Sequence, residues 1–401
     1  MKTLRGMHDL LDQDALLFEE VISYITQIAK KYSFQFARTP VIESVSLFNS
    51  TLDIDTDIMS KEIYTFTDKS NDLVALRPEF TASMMRLFAN NNFKSYKNIF
   101  TYGPLFRYDR PQKGRYREFY QINFEILNTD SYISDVHIIL LIDEILSYFG
   151  IKYSLELNTL GFPESREKYE LKLKEFFIAH KESLSSESQS RLENNKVLRI
   201  LDSKLDIDKE VVSKINFKIL DFLTKKEKDF YNKIKDLLSE AKITFIENEK
   251  LVRGLNYYNN TIFEFISLED NLTIAGGGRY DAGKFLKNKF VPSVGFAAGI
   301  ERMISLIKKK KNIQVSIEYG IYLMNFNAER YFFHSLKFTK SHKIYNSSIK
   351  LNKFIARCQK ENIKHICIIG DKEIEENLFE VKNLLTQKKI SYNKEELKEV
   401  I

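Results

Sequence analysis

The chain has 401 residues, enough for two or three domains of roughly 100–200 residues each, and its 43% hydrophobic and 29% charged content is that of a folded protein with a sizeable core. Its net charge, 61 − 55 = +6, permits a nucleic-acid partner without requiring one, and no run approaches ~18 apolar residues, which excludes a membrane-spanning helix. Two cysteines, Cys358 and Cys367, exclude a disulfide framework and a four-cysteine zinc site; with a polar, acidic start unlike a signal or transit peptide, they point to a reducing, cytoplasmic setting.

Residues 12–31 predict an amphipathic helix. Leu17, Phe18, Val21, Ile22, Ile25 and Ile28 share one face, with Asp12 or Asp14 suited to cap it and Lys30 and Lys31 suited to its end. Strand patterns follow at Phe34–Pro40, Glu62–Thr67, Leu73–Leu76, Ile99–Arg107, Glu118–Leu127 and Tyr153–Asn158, with helical segments at Phe80–Asn90 and Ser134–Tyr148. Residues 160–250 change character: they are rich in lysine and glutamate, break at the serines of Ser183–Ser190, and read as helical throughout. Strands resume at Thr261–Ser267 and Thr273–Ala275. After a break at Lys308–Lys311, the last part alternates strand and helix patterns at Gly320–Met324, Leu351–Gln359 and His365–Ile369. The expected organisation is a mixed α+β core at 1–159 and 251–312, a helical insertion at 160–250, and a small α/β domain at 313–401.

The densest chemical signal runs from Gly103 to Glu125, where two strand patterns flank a loop containing Pro and Gly. Side chains alternate faces along a strand. On the second strand, alternation places Arg115, Arg117, Phe119, Gln121, Asn123 and Glu125 on one side, with Tyr120, Ile122, Phe124 and Ile126 opposite. Arg107 and Asp109 share a face on the first strand. The polar side offers guanidinium forks for phosphate, an aromatic ring to stack a base, and polar groups deeper in. Arginine is the scarcer cation here, 16 against 45 lysines, so its concentration in one hairpin is informative.

Four further segments carry weaker signals. Arg77-Pro78-Glu79-Phe80-Thr81 opens a helix, where Glu79 and Thr81 could hold an ammonium or simply cap. Arg253-Gly254-Leu255-Asn256-Tyr257-Tyr258 suggests a loop facing a ligand. Gly276-Gly277-Gly278-Arg279-Tyr280-Asp281 suggests a sharp turn or a backbone that approaches a ligand closely. Pro292 to Arg302 predicts the start of a helix, with Phe296, Ile300, Ile304 and Ile307 on one face and Arg302 turned towards a site. Together with the hairpin these segments hold 8 of the 16 arginines.

In this order the segments resemble histidyl-tRNA synthetase, a class II aminoacyl-tRNA synthetase. The hairpin resembles class II motif 2, with the loop Arg110-Pro111-Gln112-Lys113-Gly114-Arg115-Tyr116-Arg117 typical of the histidine enzyme. Residues 292–302 resemble motif 3, and Pro40 the motif 1 proline at the dimer interface. Arg253–Tyr258 and Gly276–Asp281 resemble the two histidine-specific signatures. Phe80, Asn256, Asp109 and Tyr120 stand where the family usually has glycine, aspartate, glutamate and histidine.

The resemblance implies an antiparallel sheet flanked by helices, in a homodimer, and a two-step reaction. ATP and L-histidine form histidyl-adenylate, and the 3′ end of histidine tRNA then takes the histidyl group. It implies Arg253 and Arg107 as catalytic residues. Arg107, Asp109, Arg115, Arg117, Phe119 and Arg302 would bind ATP. Glu79, Thr81, Gln121, Glu125, Arg253, Tyr257, Tyr258 and Tyr280 would bind histidine. Magnesium is implied with the triphosphate. No protein-held metal is expected, since His334, His342 and His365 lack ligand spacing. The insertion would approach the tRNA acceptor arm, and residues 313–401 would form an anticodon-binding-like α/β domain. The competing reading is a non-catalytic, histidine-sensing regulatory subunit of ATP phosphoribosyltransferase. Retention of Arg107, Arg253, Arg302 and a C-terminal domain argues against it.

Overall fold

The structure is a computed structural model that describes residues 2–51, 62–91, 97–109, 114–253, 257–285, 290–310, 317–336 and 340–400. Of the segments singled out above, Arg110–Lys113, Gly254–Asn256 and Lys311 lie outside the described residues. The chain divides into two compact units, Met1–Asn312 and Ile313–Ile401.

The first unit is organised by an eight-stranded sheet. Its strands are β1 (Gln35–Phe36), β5 (Lys97–Phe106), β6 (Glu118–Leu127), β7 (Tyr153–Thr159), β8 (Phe245–Glu247), β9 (Tyr258–Ser267), β10 (Thr273–Asp281) and β11 (Pro292–Gly299). The spatial order is β1-β5-β6-β11-β10-β9-β7-β8; all neighbours are antiparallel except the outermost pairs, β1 with β5 and β7 with β8. A second, three-stranded sheet joins β2 (Ile42–Ser44), β4 (Leu73–Leu76) and β3 (Tyr64–Thr67).

One face of the large sheet is apolar. Phe124 stacks on Phe296 of β11 and on Phe100 of β5, with ring centroids 5.2 and 5.3 Å apart. Over this side lie α1 (Asp12–Lys31), whose Leu17, Val21, Ile25 and Ile28 are buried, α4 (Tyr132–Tyr148) and α10 (Ile300–Lys308). The helix expected at 12–31 has those limits, but its N-cap is Leu11 and neither Asp12 nor Asp14 caps it. Between β7 and β9 the chain builds the insert from α5 (Pro163–Ala179), α6 (Ser186–Glu193), α7 (Leu198–Leu201), α8 (Asp206–Ser213) and α9 (Lys225–Glu240), and it is not helical throughout, since β8 pairs with β7.

Two expectations are corrected. Residues 292–299 form a central strand, and the helix begins only at Ile300, so Phe296 lies in the sheet core instead of on a helical face. A strand buried on both faces loses polar alternation, and the spacing of Phe296, Ile300 and Ile304 then imitates a helix. Gly276–Gly278 lie within β10 and do not form a turn.

The second unit is a five-stranded sheet, β13-β12-β14-β15-β16, made of β12 (Tyr319–Leu323), β13 (His342–Asn346), β14 (His365–Ile369), β15 (Phe379–Asn383) and β16 (Lys389–Tyr392). Its first three strands are parallel and the other two antiparallel. Helices α11 (Phe326–Ser335) and α12 (Leu351–Lys360) contribute Phe332 and Phe354 to separate apolar clusters. Cys367 is core, as its strand pattern indicates.

The serine-rich break has a structural use. Asp208 of α8 is fully buried and accepts hydrogen bonds from the Ser185 amide and from the hydroxyls of Ser185, Ser188 and Ser203 at 2.6–2.8 Å. Burial alone would push its carboxyl up, but these hydrogen bonds outweigh that effect and hold it below the usual range. A carboxyl depressed on folding stabilises above its unfolded pKa, and that contribution is lost as pH falls through the folded value. Asp208→Ala is therefore expected to cost ~2–4 kcal/mol of insert stability near neutral pH, because buried donors lose their acceptor. The gap between wild type and variant should narrow below about pH 4. Urea unfolding of both proteins across that range measures it.

Candidate active site

A cleft of about 460 Å³ opens on the polar face of the large sheet. Register explains what it contains. Along β6, Phe119, Gln121, Asn123 and Glu125 point into it; Gly299, Ala297 and Gly295 of β11 sit opposite the last three. Gly276 and Tyr280 of β10 and Glu264 and Tyr258 of β9 complete the floor, with Gly276 opposite Glu264 and Tyr280 opposite Tyr258.

The deepest group is Glu125, 1% exposed. Its carboxylate accepts from the Tyr280 hydroxyl at 2.8 Å, the Thr81 hydroxyl at 2.8 Å and the Asn123 amide at 3.1 Å. Burial pushes this carboxyl up to about 7, against those hydrogen bonds, which favour the ionised form. A side chain at Gly295 would occupy the place of the Glu125 carboxylate, so only glycine fits there. Burial and the neighbouring Glu125 together push the Tyr280 hydroxyl well above its ordinary value. Tyr257 stacks beside Tyr258 and Tyr280, at centroid distances of 4.7 and 5.6 Å.

Glu79 lines the same region, but its oxygens accept from the Thr81 and Ala82 amides at 2.6 and 2.7 Å. It thus caps the start of α3 (Thr81–Asn90) as well as facing the cleft. Phe80 is buried beneath the guanidinium of Arg77, which itself bonds the carbonyls of Thr39, Pro40 and Pro104. Arg77 ties the Pro40 segment to the hairpin and does not enter the cleft.

Among the described residues five guanidinium groups line the cleft, and those of Arg107, Arg302 and Arg253 reach it from three different elements. Arg107 donates through Nε to the Pro78 carbonyl at 2.9 Å and lies over the Phe119 ring, 5.4 Å from its centroid. Arg302, from the start of α10, donates to the carbonyls of Gly114 and Thr273. Arg253 pairs with Glu264, whose other oxygen accepts from the Thr273 hydroxyl at 3.1 Å. A Cβ at Gly276 would collide with the Arg253 guanidinium. The Nε of Arg253 is buried without a hydrogen-bond partner among the described residues.

The remaining expected residues divide. Asp109 and Arg115 both line the cleft and form a half-exposed ion pair at 3.1 Å. Arg117 does not line it; its guanidinium lies 3.7 Å from the Tyr108 ring centroid. Backbone pairing runs one step past the ladder, with the Arg107 amide donating to the Arg117 carbonyl at 2.9 Å, but the Arg117 side chain is taken up by the Tyr108 ring and by the Asp109 carbonyl, to which its Nε donates at 3.4 Å. Glu264, Arg199 and Asp202 are among the cleft residues that were not singled out from the sequence. Glu264 carries a recognisable signal, a charge between Phe263 and Phe265 in a strand with no other charged residue. Arg199 and Asp202 come from the insert, and only its folding brings them there.

Residues 6–303 match the family Histidyl-tRNA synthetase and residues 336–401 the family Anticodon binding domain. The histidine–tRNA ligase of Rickettsia bellii is 37% identical over 402 residues, covering 96% of this chain and 95% of that protein. That of Orientia tsutsugamushi is 42% identical over 320 residues, covering 76% and 75%. The crystal structure of apo histidyl-tRNA synthetase from S. aureus superposes with a TM-score of 0.82 at 27% identity, covering 100% of this chain and 99% of that one.

A buried carboxyl that titrates near neutrality is directly observable. Burial also pushes the Glu301 carboxyl up to about 7, so infrared difference spectra of the ligand-free protein should show protonated-carboxyl absorption from both groups lost as pH rises through that value. Glu125→Gln should remove the Glu125 part of that signal and leave the part that Glu301→Gln removes.

Proposed function

The chain belongs to the histidyl-tRNA synthetase family, and from that premise we propose how its cleft divides the work between two small substrates and an RNA. Its activity is ATP-dependent charging of histidine tRNA. The observation that carries the residue assignment is the convergence of Arg107, Arg253 and Arg302 on one cleft with the Glu125–Tyr280–Thr81 cluster at its floor.

Histidine occupies the floor. An imidazole has two ring nitrogens, and each needs a donor or an acceptor. Glu125, Tyr280 and Tyr258 supply both kinds of group. Glu79, Thr81, Gln121 and Tyr257 lie where the amino acid's ammonium and carboxylate would reach. Phe119 stacks on adenine, Arg107 takes the α-phosphate, and Arg302, with Arg115 and Asp109 nearer solvent, takes the outer phosphates. Arg117, held on Tyr108, has no nucleotide role in this reading. Magnesium enters with ATP, held mainly by phosphate oxygens and water, as is usual for this ion. Glu264 and Glu301, which line the cleft, would hold it from the protein side, and it would supply charge neutralisation to the triphosphate.

In the first step the histidine carboxylate attacks the α-phosphorus and pyrophosphate leaves. Attacker and target are both anionic, so cationic donors fixed beforehand must stabilise the charge that builds on the non-bridging oxygens. Arg107 comes from the hairpin and Arg253 from the segment after the insert, which lets them approach from two sides. In the second step a ribose hydroxyl at the tRNA 3′ end takes the histidyl group and AMP leaves. The regulatory-subunit alternative has no use for this convergence of arginines.

The test is histidine-dependent exchange of pyrophosphate into ATP. Arg253→Ala is expected to lower turnover by ~10²–10³ with little change in either Michaelis constant. Arg253→Lys should stay strongly impaired, because lysine keeps the charge and loses the fork. Retention of more than about a tenth of wild-type exchange in Arg253→Ala would make Arg253 a structural residue.

The homodimer rests on a different observation. Ile42, Tyr64, Phe66, Val74 and Leu76 fall in two rows on one face of the three-stranded sheet; Ile42 is 49% exposed and Phe66 42%. We assign a second copy of the chain to this face, continuous with the Pro40 segment. Light scattering at micromolar concentration should give twice the monomer mass, and Ile42→Asp with Phe66→Asp should return it to one.

A further inference from the structure

We propose that Arg166, in the first helix of the insert, is a positioning residue for Tyr258, so that the insert's packing sets histidine affinity; this rests on the assignment of Tyr258 to the histidine pocket. One nitrogen of the Arg166 guanidinium donates to the Tyr258 backbone carbonyl at 2.8 Å, across 92 residues of sequence. Its Nε is paired with Glu170, one turn further along α5, at 2.7 Å, so the fork is oriented before it reaches Tyr258.

The placement is not what helix α5 would choose for itself. Arg166 is the fourth residue of a helix that begins at Pro163, and a cation near a helix N-terminus opposes the macrodipole. The contact with a carbonyl of the catalytic core, together with Glu170, offsets that cost.

The accepting backbone is irregular and held from the insert side. Between β9 and β10 the register shifts at Gly278/Arg279, leaving Asn260 (φ +54°) and Thr261 outside that ladder, while Tyr258 returns to face Tyr280. Asn260 is then strapped to the start of the insert. The Leu160 amide donates to its carbonyl at 2.7 Å, its own amide donates to the Gly161 carbonyl at 2.8 Å, and the Thr159 hydroxyl donates to its side chain at 3.1 Å. Helix α5 is pinned in turn by Glu227 of α9, which accepts from the Phe162 amide at 2.6 Å and the Ser165 hydroxyl at 2.8 Å. Tyr258 is also a buried member of the apolar cluster that the insert's helices mainly supply. It is therefore held by the insert both at its backbone and in that cluster, while it also lines the cleft opposite Tyr280.

The test uses the full-length protein in pyrophosphate exchange. Arg166→Gln is expected to raise the histidine Michaelis constant about 5- to 30-fold, part of the worth of a charge-assisted hydrogen bond, with the ATP constant and unfolding midpoint nearly unchanged. Arg166→Lys, which keeps a cationic donor, should recover most of the loss. Glu170→Gln removes only the carboxylate that orients the fork. It should give a rise of about twofold to fivefold, and it carries the test if Arg166→Gln does not fold. An unchanged histidine constant in both Arg166→Gln and Glu170→Gln overturns the inference, as does a parallel change in the histidine and ATP constants. Tyr258→Phe separates the two levels. If it is impaired for histidine while the Arg166 and Glu170 variants are not, only the positioning role fails; if it is unaffected, the pocket assignment fails and the inference goes with it.

Discussion

A carboxylate removed from water must find its hydrogen-bond donors within the protein, and the arrangement of the cleft follows from how Glu125 does so. Its donors come from helix α3, from its own strand β6 and from β10, two strands away. Strand β11 runs between β6 and β10 and must let the Tyr280 hydroxyl reach across. It can do so only because the residue opposite Glu125 is Gly295, with no side chain in the way. The register of three strands, the start of one helix and the identity of one glycine are thus fixed by a single buried group. A slip of one residue in β6 would turn Glu125 into the apolar layer and bring Phe124 or Ile126 into the cleft.

The same logic governs the cations. Burial lowers the guanidinium pKa of Arg107 and Arg302, against the influence of nearby carboxylates, but both stay charged at any physiological pH. Each is fixed by a backbone carbonyl, which orients the fork without neutralising it, so their positive charge remains available to a phosphate. Arg253 differs in being paired with Glu264. That pairing lowers the cost of burying the cation.

Much of this was legible in the sequence where one physical rule acted alone. The limits of α1, β4 and β6 follow from hydrophobic periodicity, and the alternation that runs from Phe119 to Glu125 on β6 is the alternation that builds the cleft floor. Legibility failed where two constraints met at one residue. In β11 and β10 the small residues make room for side chains from other elements, so Gly295 and Gly276 report on Glu125 and Arg253 and say nothing of a turn. For Arg117, alternation alone does not reveal that the Tyr108 ring lies within reach of its guanidinium. Arg199 and Asp202 show no local pattern pointing to a cleft, because their position depends on how five helices of the insert pack.

Arginine content gives the clearest measure of what residue type alone can convey. Eight arginines cluster in the segments that resemble the family, yet two of them, Arg77 and Arg279, are structural. Arg279 is buried with Asp135, bonds the carbonyls of Thr129 and Ser131, and lies against Phe230 of the insert. It projects from β10 away from the cleft, on the opposite face from Tyr280, because neighbouring residues on a strand alternate. Arg77 likewise spends its donors on backbone carbonyls. What distinguishes Arg253 is its place: its guanidinium lines the cleft, and those of Arg77 and Arg279 do not. The sequence can place an arginine in a motif, but only the packing around it separates one that ties elements together from one that faces the cleft.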